Sequence, residues 1–414
     1  MEEGEAMARD RRVLGISLNI ILLGIVSFLT DTSSEMMFPV LPFFIMILGG
    51  TGVALGLIGG LGDSVSSILR VFSGYWSDKY GRRKVFVVSG YGASAASKMF
   101  FPLSTHWWHL AVLRPIERVG KGIRTAPRDA LIADFSEESV RGKVFGLHRA
   151  LDTSGAILGS LLAFFLFWSL SPEGAEPEQL KEAIITILWI GVAVAFLALV
   201  PLIFVTERRR EPKEISLALS IAGLPRDLKL LIAAASVFAM ANFTYMLFLA
   251  MAKDMLMLLG YDERLATALA ILMYVVFNSI YALLAIPMGM LADRVGMKRV
   301  ILGGYVVFAA VCLGFVFSWF YALSLATIVV LFATYGLTYA MTNGTQRAFT
   351  SKLASEDIRG TALGTFHTAV GLATLPGGIL AGFLFDIQPY LAFLYGAALA
   401  IVAMALLAMV SERG

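Results

Sequence analysis

Apolar residues run in long stretches near 13–48, 52–76, 84–103, 107–133, 143–169, 183–205, 228–259, 264–291, 298–318, 322–350, 360–385 and 388–410. The stretches do not alternate at a period of two, as the strands of a membrane barrel would. Several exceed the about 20 residues that a helix needs to cross the hydrocarbon core, so tilt or protrusion is expected. Only helices and closed barrels satisfy their own backbone in lipid, and the pattern selects helices. It predicts an all-α integral membrane protein of twelve transmembrane helices. The first apolar run is too long for a signal peptide, so it is expected to remain as the first helix.

Lysine and arginine sit in alternate loops. Lys79, Arg82, Arg83 and Lys84 follow the second span; Arg208, Arg209, Arg210, Lys213, Arg226 and Lys229 lie in or beside the linker 206–227; Arg294, Lys298 and Arg299 follow the eighth span. The intervening loops GGTG, STHWWH and SPEGAEPEQLKE are nearly free of them. Cationic loops stay in the cytoplasm, which places both termini and the linker there, in a multi-pass protein of the plasma membrane. Only 15% of residues are charged and 58% are apolar. About a quarter are charged in soluble domains, so a soluble enzyme, a disordered chain and a nucleic-acid binder are excluded. The single cysteine, Cys312, excludes an intramolecular disulfide or a cysteine metal cluster and reads as a small buried side chain. His106 and His109, flanking Trp107 and Trp108, read as an interfacial belt.

The linker 206–227 divides the chain into an N-terminal six-helix bundle, 1–205, and a C-terminal one, 228–414. The halves repeat each other. Gly74-Tyr-Trp-Ser-Asp78-Lys-Tyr-Gly81-Arg82-Arg83 matches Gly289-Met-Leu-Ala-Asp293-Arg-Val-Gly296-Met-Lys298. Arg141-Gly142-x-x-x-Gly146 matches Arg359-Gly360-x-x-x-Gly364 at nearly the same offset, with Gly159 and Gly377 in step. Parallel repeats of this kind are a transporter architecture with the substrate near the midplane.

On these residues the chain resembles the major facilitator superfamily (MFS) over its whole length, in a prokaryotic branch of unknown or efflux-type substrate. GYWSDKYGRRK is similar to the family's signature between helices two and three, with every defined position present. Arg118-Val-Gly-Lys121-Gly122 is similar to its fourth-helix motif, with Lys121 where glutamine is usual. Gly146, Gly155 and Gly159 are similar to the start of its fifth-helix antiporter motif, but Ser160, Ala163 and Phe164 stand where that motif continues with proline and glycines. Gly74 and Gly81 suit a close helix approach and a tight turn. Asp78 is placed to cap the N-terminus of a second-half helix near Arg359-Gly360. The resemblance implies that this contact closes the cytoplasmic side of the outward-facing state. The gate set comprises Gly74, Asp78, Gly81, Arg82, Arg83, Arg128, Asp129, Asp134, Gly289, Asp293 and Gly296, with Asp134 expected to pair with Arg82.

Ionisable groups inside spans are expensive and are functional candidates by default. The first span carries Asp31 and Glu35 on one face, followed by Pro39 and Pro42, which are expected to kink it. The fourth carries Glu117, Lys121, Arg124 and Arg128 at spacings that align them in one stripe, with Arg114, Arg118 and Asp129 on the flank and a bend at Pro127. The fifth carries His148, Arg149 and Asp152. The resemblance implies that helices one, four, seven and ten line a central cavity. Glu117, Arg118, Lys121, Arg124, His148, Arg149, Asp152, Asp31 and Glu35 are therefore the substrate and proton-coupling candidates. A mutually neutralising structural network is the alternative for these charges. Asn242, Tyr245, Asn278, Tyr335, Tyr339, Asn343 and Gln346 are the recognition candidates of the second half. His148 and His367 read equally as core side chains or proton carriers.

These features predict a secondary active transporter of a small organic solute by alternating access, as proton-coupled efflux with Asp31 or Glu35 carrying the proton. A proton-linked symporter or facilitator of an anionic metabolite is the runner-up, since arginines bind such groups bidentately. A metal-chelate exporter and a non-transporting sensor are more remote. No enzyme activity, cofactor or bound metal is expected; no G-x-x-x-x-G-K-[ST] nucleotide loop occurs. The partners expected are the solute, a proton and the bilayer, with no nucleic acid, for a monomer.

Overall fold

The computed structural model describes residues 12–13, 16–137, 140–207, 223–322 and 324–411. The linker's basic cluster, Arg208 to Lys213, lies outside the described residues. The first span is α1 (Leu18–Met37) with α2 (Leu41–Ile47); the second to fifth are α3 (Gly52–Tyr80), α4 (Lys84–Met99), α5 (Trp107–Asp134) and α6 (Arg141–Leu170). The sixth is α7 (Pro177–Leu197) continued by α8 (Leu199–Ile203), and the seventh is α9 (Arg226–Ala241) with α10 (Tyr245–Leu258). The eighth to twelfth are α11 (Glu263–Val295), α12 (Met297–Tyr321), α13 (Leu325–Leu353), α14 (Arg359–Ile387) and α15 (Pro389–Ala408). These make two six-helix bundles. Twelve spans return the chain to the side on which it began, the terminus side; the opposite side is the far side.

Ten of the spans are long and apolar enough to cross a membrane by those criteria alone. The other two fall short for different reasons. Helix α4 has only 16 residues, and α5 carries eight charged residues along its length. One departure from an all-helical chain is a two-residue antiparallel pairing of Arg12–Val13 with Ile16–Ser17.

Local chemistry sets the ends and breaks. Ser17 accepts from the Asn19 amide to start α1, and Asp262 accepts from the Leu265 amide to start α11. Glu176 and Gln179 form a reciprocal capping box before α7. The first span breaks at Phe38–Val40, and Pro42 sits in the first turn of α2, so the expected kink is an interruption. The seventh span unwinds at Asn242, with ψ at 66°, and resumes after Thr244 caps the Met246 amide. The break exposes Asn242 to the centre of the molecule.

The second half is consolidated by rings: Phe248 stacks on Tyr335 at 4.2 Å, and Tyr335 on Phe277 at 4.8 Å. Between the halves the closest seam joins α3 to α14. Gly52 and Gly56 lie directly against the backbone of Gly382 and Gly378, and Gly60 against that of Thr374 and Leu375. Lacking a hydrophobic drive between helices in lipid, such small residues permit the close packing that holds spans together.

Candidate transport site

A cavity of about 420 Å³ lies between the bundles. It runs from the middle of the spans toward the terminus side. Its first-half wall comes from α3 (Asp63, Ser66, Ser67, Arg70) and α5 (Arg118, Lys121). Its second-half wall comes from α9 (Phe238) and Asn242, from α13 (Tyr339, Asn343, Gln346, Arg347) and from α14 (His367, Thr374). Of the second-half candidates, Asn242, Tyr339, Asn343 and Gln346 line the cavity. Tyr335 does not: only 1% exposed, it is buried among rings and donates to the Asn242 side chain at 3.0 Å.

Along α5 the charged stripe divides. Lys121 and Arg118 face the cavity, and Asp63 pairs with Arg118 at 3.4 Å. Glu117 and Arg124 turn toward α4 instead. Glu117, fully buried, pairs with Arg114 at 2.7 Å and accepts from Ser94 at 3.2 Å. The Arg124 guanidinium lies 4.4 Å from the Tyr91 ring centroid. Glu117 and Arg124 therefore do not line the passage; packing against α4 takes up the edge of the stripe on which they sit. Arg114 and Arg118 both lie over the Phe38 ring, 4.0 and 5.0 Å from its centroid, anchoring the break in the first span.

Beside the cavity, the carboxyls of Asp31 on α1 and Asp152 on α6 are close neighbours, with Lys121 and Arg124 near Asp31. Two buried carboxyls so close repel when both are ionised, and one proton held between them relieves that. Arg149 pairs with Asp152 at 3.0 Å, and Arg128 approaches it at 4.0 Å while binding Asp129 at 2.8 Å. Ser27 joins this group to the core, contacting Arg128, the Tyr91 hydroxyl and His148 Nε2 at 3.2, 3.1 and 3.0 Å. Arg128 and Asp129 were expected at the gate. Instead they belong to this first-half network, because their turn of α5 faces α1 and α6 rather than the signature loop.

Glu35 takes another role. Its carboxylate accepts from Tyr274 at 2.8 Å and Asn278 at 3.1 Å, both on the opposite half. Tyr245 likewise donates across the interface to the Phe38 carbonyl at 3.2 Å. Two charged clamps sit farther out. Asp386, at the end of α14, accepts from the Gly52 and Val53 amides at 2.5 and 2.9 Å, capping α3 of the other half. Arg264, in the first turn of α11, donates to the Ser171 and Trp168 carbonyls at 2.6 and 3.1 Å, capping the end of α6. Both obey the helix dipole, with opposite sign. The far side is therefore closed.

Among the described residues the signature loop does not bridge the halves in this arrangement. Arg83, not Arg82, binds both Asp134 and Asp78, and Arg82 is exposed. Arg82 points outward because Gly81, at φ 62°, turns the chain after α3 and presents Arg83 to α5. Gly74 lies against Ala126 of α5. In the second copy Gly296 also has positive φ, at 104°, whereas Gly289 faces open space and Asp293 is exposed.

Sequence reasoning overlooked Asp63 and Arg70, seven residues apart on one face of the second span, and that spacing was the available signal. It also overlooked Lys98, fully buried on α4, which donates to Ser33 and Ser34 at 3.0 and 2.8 Å. Asp386 and Arg264 carried no motif.

Asp386→Asn and Asp78→Asn form a reciprocal pair. The first removes the charge from the far-side cap and is expected to shift the population about fivefold toward far-side opening, for a cap contribution of about 1 kcal/mol. The second is expected to shift it the opposite way. Spin-label distances across the far-side ends of α3 and α14 check both, and equal shifts in one direction would refute the reciprocity.

Two pseudo-repeated bundles with a central cavity, sealed on one side by contacts across the halves, define a carrier. The Major Facilitator Superfamily model matches residues 23–280 and 231–413, and the chain belongs to that superfamily. It is 43% identical over 391 residues, 94% of each chain, to the uncharacterized MFS-type transporter MJ1317 of Methanocaldococcus jannaschii. A shorter match, 29% over 123 residues and 30% of each chain, is to the multidrug resistance protein MdtH of Photorhabdus laumondii. The crystal structure of the nucleoside transporter NupG shares the fold at a TM-score of 0.71, with 17% identity over 94% of this chain and 98% of that one. The protein is thus a multi-pass secondary transporter working by alternating access.

Proposed function

We propose that the protein moves a small organic solute in exchange or in company with protons, as a monomer in the plasma membrane with both termini cytoplasmic. The bundles 1–205 and 228–414 rock about the central cavity, joined by 206–227. The state described above is then inward-facing. The observation that carries proton coupling is the Asp31–Asp152 carboxyl pair beside the cavity wall. Movement of Lys121 relative to Asp31 changes the field on the shared proton, so substrate occupancy and proton release become linked. Glu35, held by two donors of the opposite half, serves the far-side seam rather than the proton path.

Two substrate classes have separate support. The 123-residue likeness to MdtH favours drug efflux. The cation-rich cavity favours an anionic metabolite. Reconstituted protein is expected to move its solute several-fold faster under an imposed pH gradient than without one, and a protonophore should erase the difference. Flux indifferent to the gradient would remove proton coupling while leaving the carrier assignment intact.

A further inference from the structure

We propose that the cavity is built for a small organic anion carrying at least two negative charges, bound between the halves by Arg118 and Lys121 on one wall, Arg347 on the other and Arg70 at the terminus-side mouth. The proposal rests on the carrier reading and names its substrate class.

Four cations face the cavity, against one carboxylate, Asp63, which is already engaged by Arg118. Among the described residues, Arg70, Lys121 and Arg347 have no carboxylate within ion-pairing distance. Arg347 Nε donates to the Asn343 carbonyl at 3.0 Å, and Arg70 Nε is buried with no partner. Half-buried cations gathered in a confined cleft are costly unless a counter-charge arrives. Asp31, behind the wall, answers part of the charge on Lys121 and the wall's one carboxylate is engaged, so the substrate supplies the rest. Even with Asp31 near Lys121, the two arginines remain, and compensating both takes more than a single negative charge. Arginine forks match carboxylate and phosphate oxygens bidentately, while Lys121 adds a point charge. Asn242, Asn343 and Tyr339 supply neutral polar groups for the uncharged part of the ligand. A volume of about 420 Å³ admits a metabolite-sized molecule and little more.

The placement also gives the anion a mechanical task. Arg70 on α3 and Arg347 on α13 line the same cleft from opposite halves, so like charges stand on its two walls. Empty, the cleft is held apart on the terminus side by like charges. An anion between them turns repulsion into attraction from both halves, so binding favours closure of that side. The solute thereby supplies the differential interaction that any ligand-driven conformational change requires.

Thermal unfolding of the purified full-length protein in detergent, at constant ionic strength, tests the substrate class without relying on flux. Succinate and glycerol 3-phosphate are the dianionic probes, and they distinguish carboxylate from phosphate recognition. Lactate, glycerol, tetraphenylphosphonium and sodium chloride are the comparisons. A dianion is expected to raise the midpoint in a saturable way, with lactate weaker and glycerol and tetraphenylphosphonium inert. Arg347→Gln is expected to weaken dianion binding at least tenfold and Arg347→Lys less, both with near-normal unfolding in the absence of ligand. Stabilisation by the neutral or cationic probe alone, an equal effect of chloride, or unchanged dianion affinity in Arg347→Gln would overturn the proposal. Proteoliposome flux separates this failure from failure of the carrier reading: a protein that transports tetraphenylphosphonium sinks the anion site only.

Discussion

Gly56→Leu is expected to abolish turnover, by about 100-fold or more, in a protein that still inserts and folds. The glycine sits where α3 and α14 touch backbone to backbone, and any Cβ there meets the Gly378 carbonyl. Backbone cannot yield as a flexible side chain does, and overpacking a tight contact costs about 1–3 kcal/mol or more even where the surroundings adjust. The contact lies between the bundles, not within one. The cost therefore falls on the far-closed state and not on assembly of either half. A leucine would hold α3 and α14 apart, leaving the carrier open on the far side. Labelling of a cysteine placed at Ser67, on the cavity wall, by a membrane-impermeant maleimide should then rise from that side while solute flux disappears. Gly92→Leu is the control, because a Cβ at Gly92 meets open space. Normal flux in Gly56→Leu would mean that the seam between α3 and α14 is not part of the transport cycle.

Much of this architecture is legible in the chain because lipid leaves few options. Run length, helix punctuation and the placement of basic loops give the twelve spans, and the repeated Gly-x-x-x-Asp loops give the two halves. The site is harder to read, because spacing reports which residues share a helix face but not which neighbour that face meets. Glu117, Lys121 and Arg124 illustrate the limit. They lie within one stripe, yet Lys121 faces the cavity while Glu117 meets Ser94 and Arg124 meets Tyr91. Lys98 lies one residue from the end of its helix, where a lysine ordinarily snorkels to the interface; its burial against Ser33 and Ser34 depends on how the first span packs. The clamp from Asp386 to Gly52 joins residues far apart in sequence and in different halves, and only the assembled fold brings them together. The signature loop is the converse case. Its motif is plain in the sequence, but in this state Asp78 stays within its own half, bound to Arg83.

Asp31→Asn is expected to separate transport from its driving force. Uphill movement driven by a pH gradient should fall by about 100-fold, whereas exchange of labelled for unlabelled solute should persist within about tenfold of normal. The asymmetry follows from the chemistry of the pair. Asparagine keeps the size of the side chain and can still hydrogen-bond Asp152, so the packing of α1 on α6 is preserved. It cannot accept or release a proton, so the step that returns the empty carrier with a changed protonation state is lost. Exchange needs no such step, because the carrier crosses loaded in both directions. Asp152→Asn should behave differently. Asp152 also receives Arg149 at 3.0 Å and Arg128 at 4.0 Å, so neutralising it strips a counter-charge from two arginines as well as a titrating group. Loss of exchange together with uphill transport is the expected phenotype there, with a lowered unfolding midpoint. If Asp31→Asn still drives uphill transport with wild-type dependence on the gradient, the shared proton lies off the coupling path and the pair is a structural link between α1 and α6.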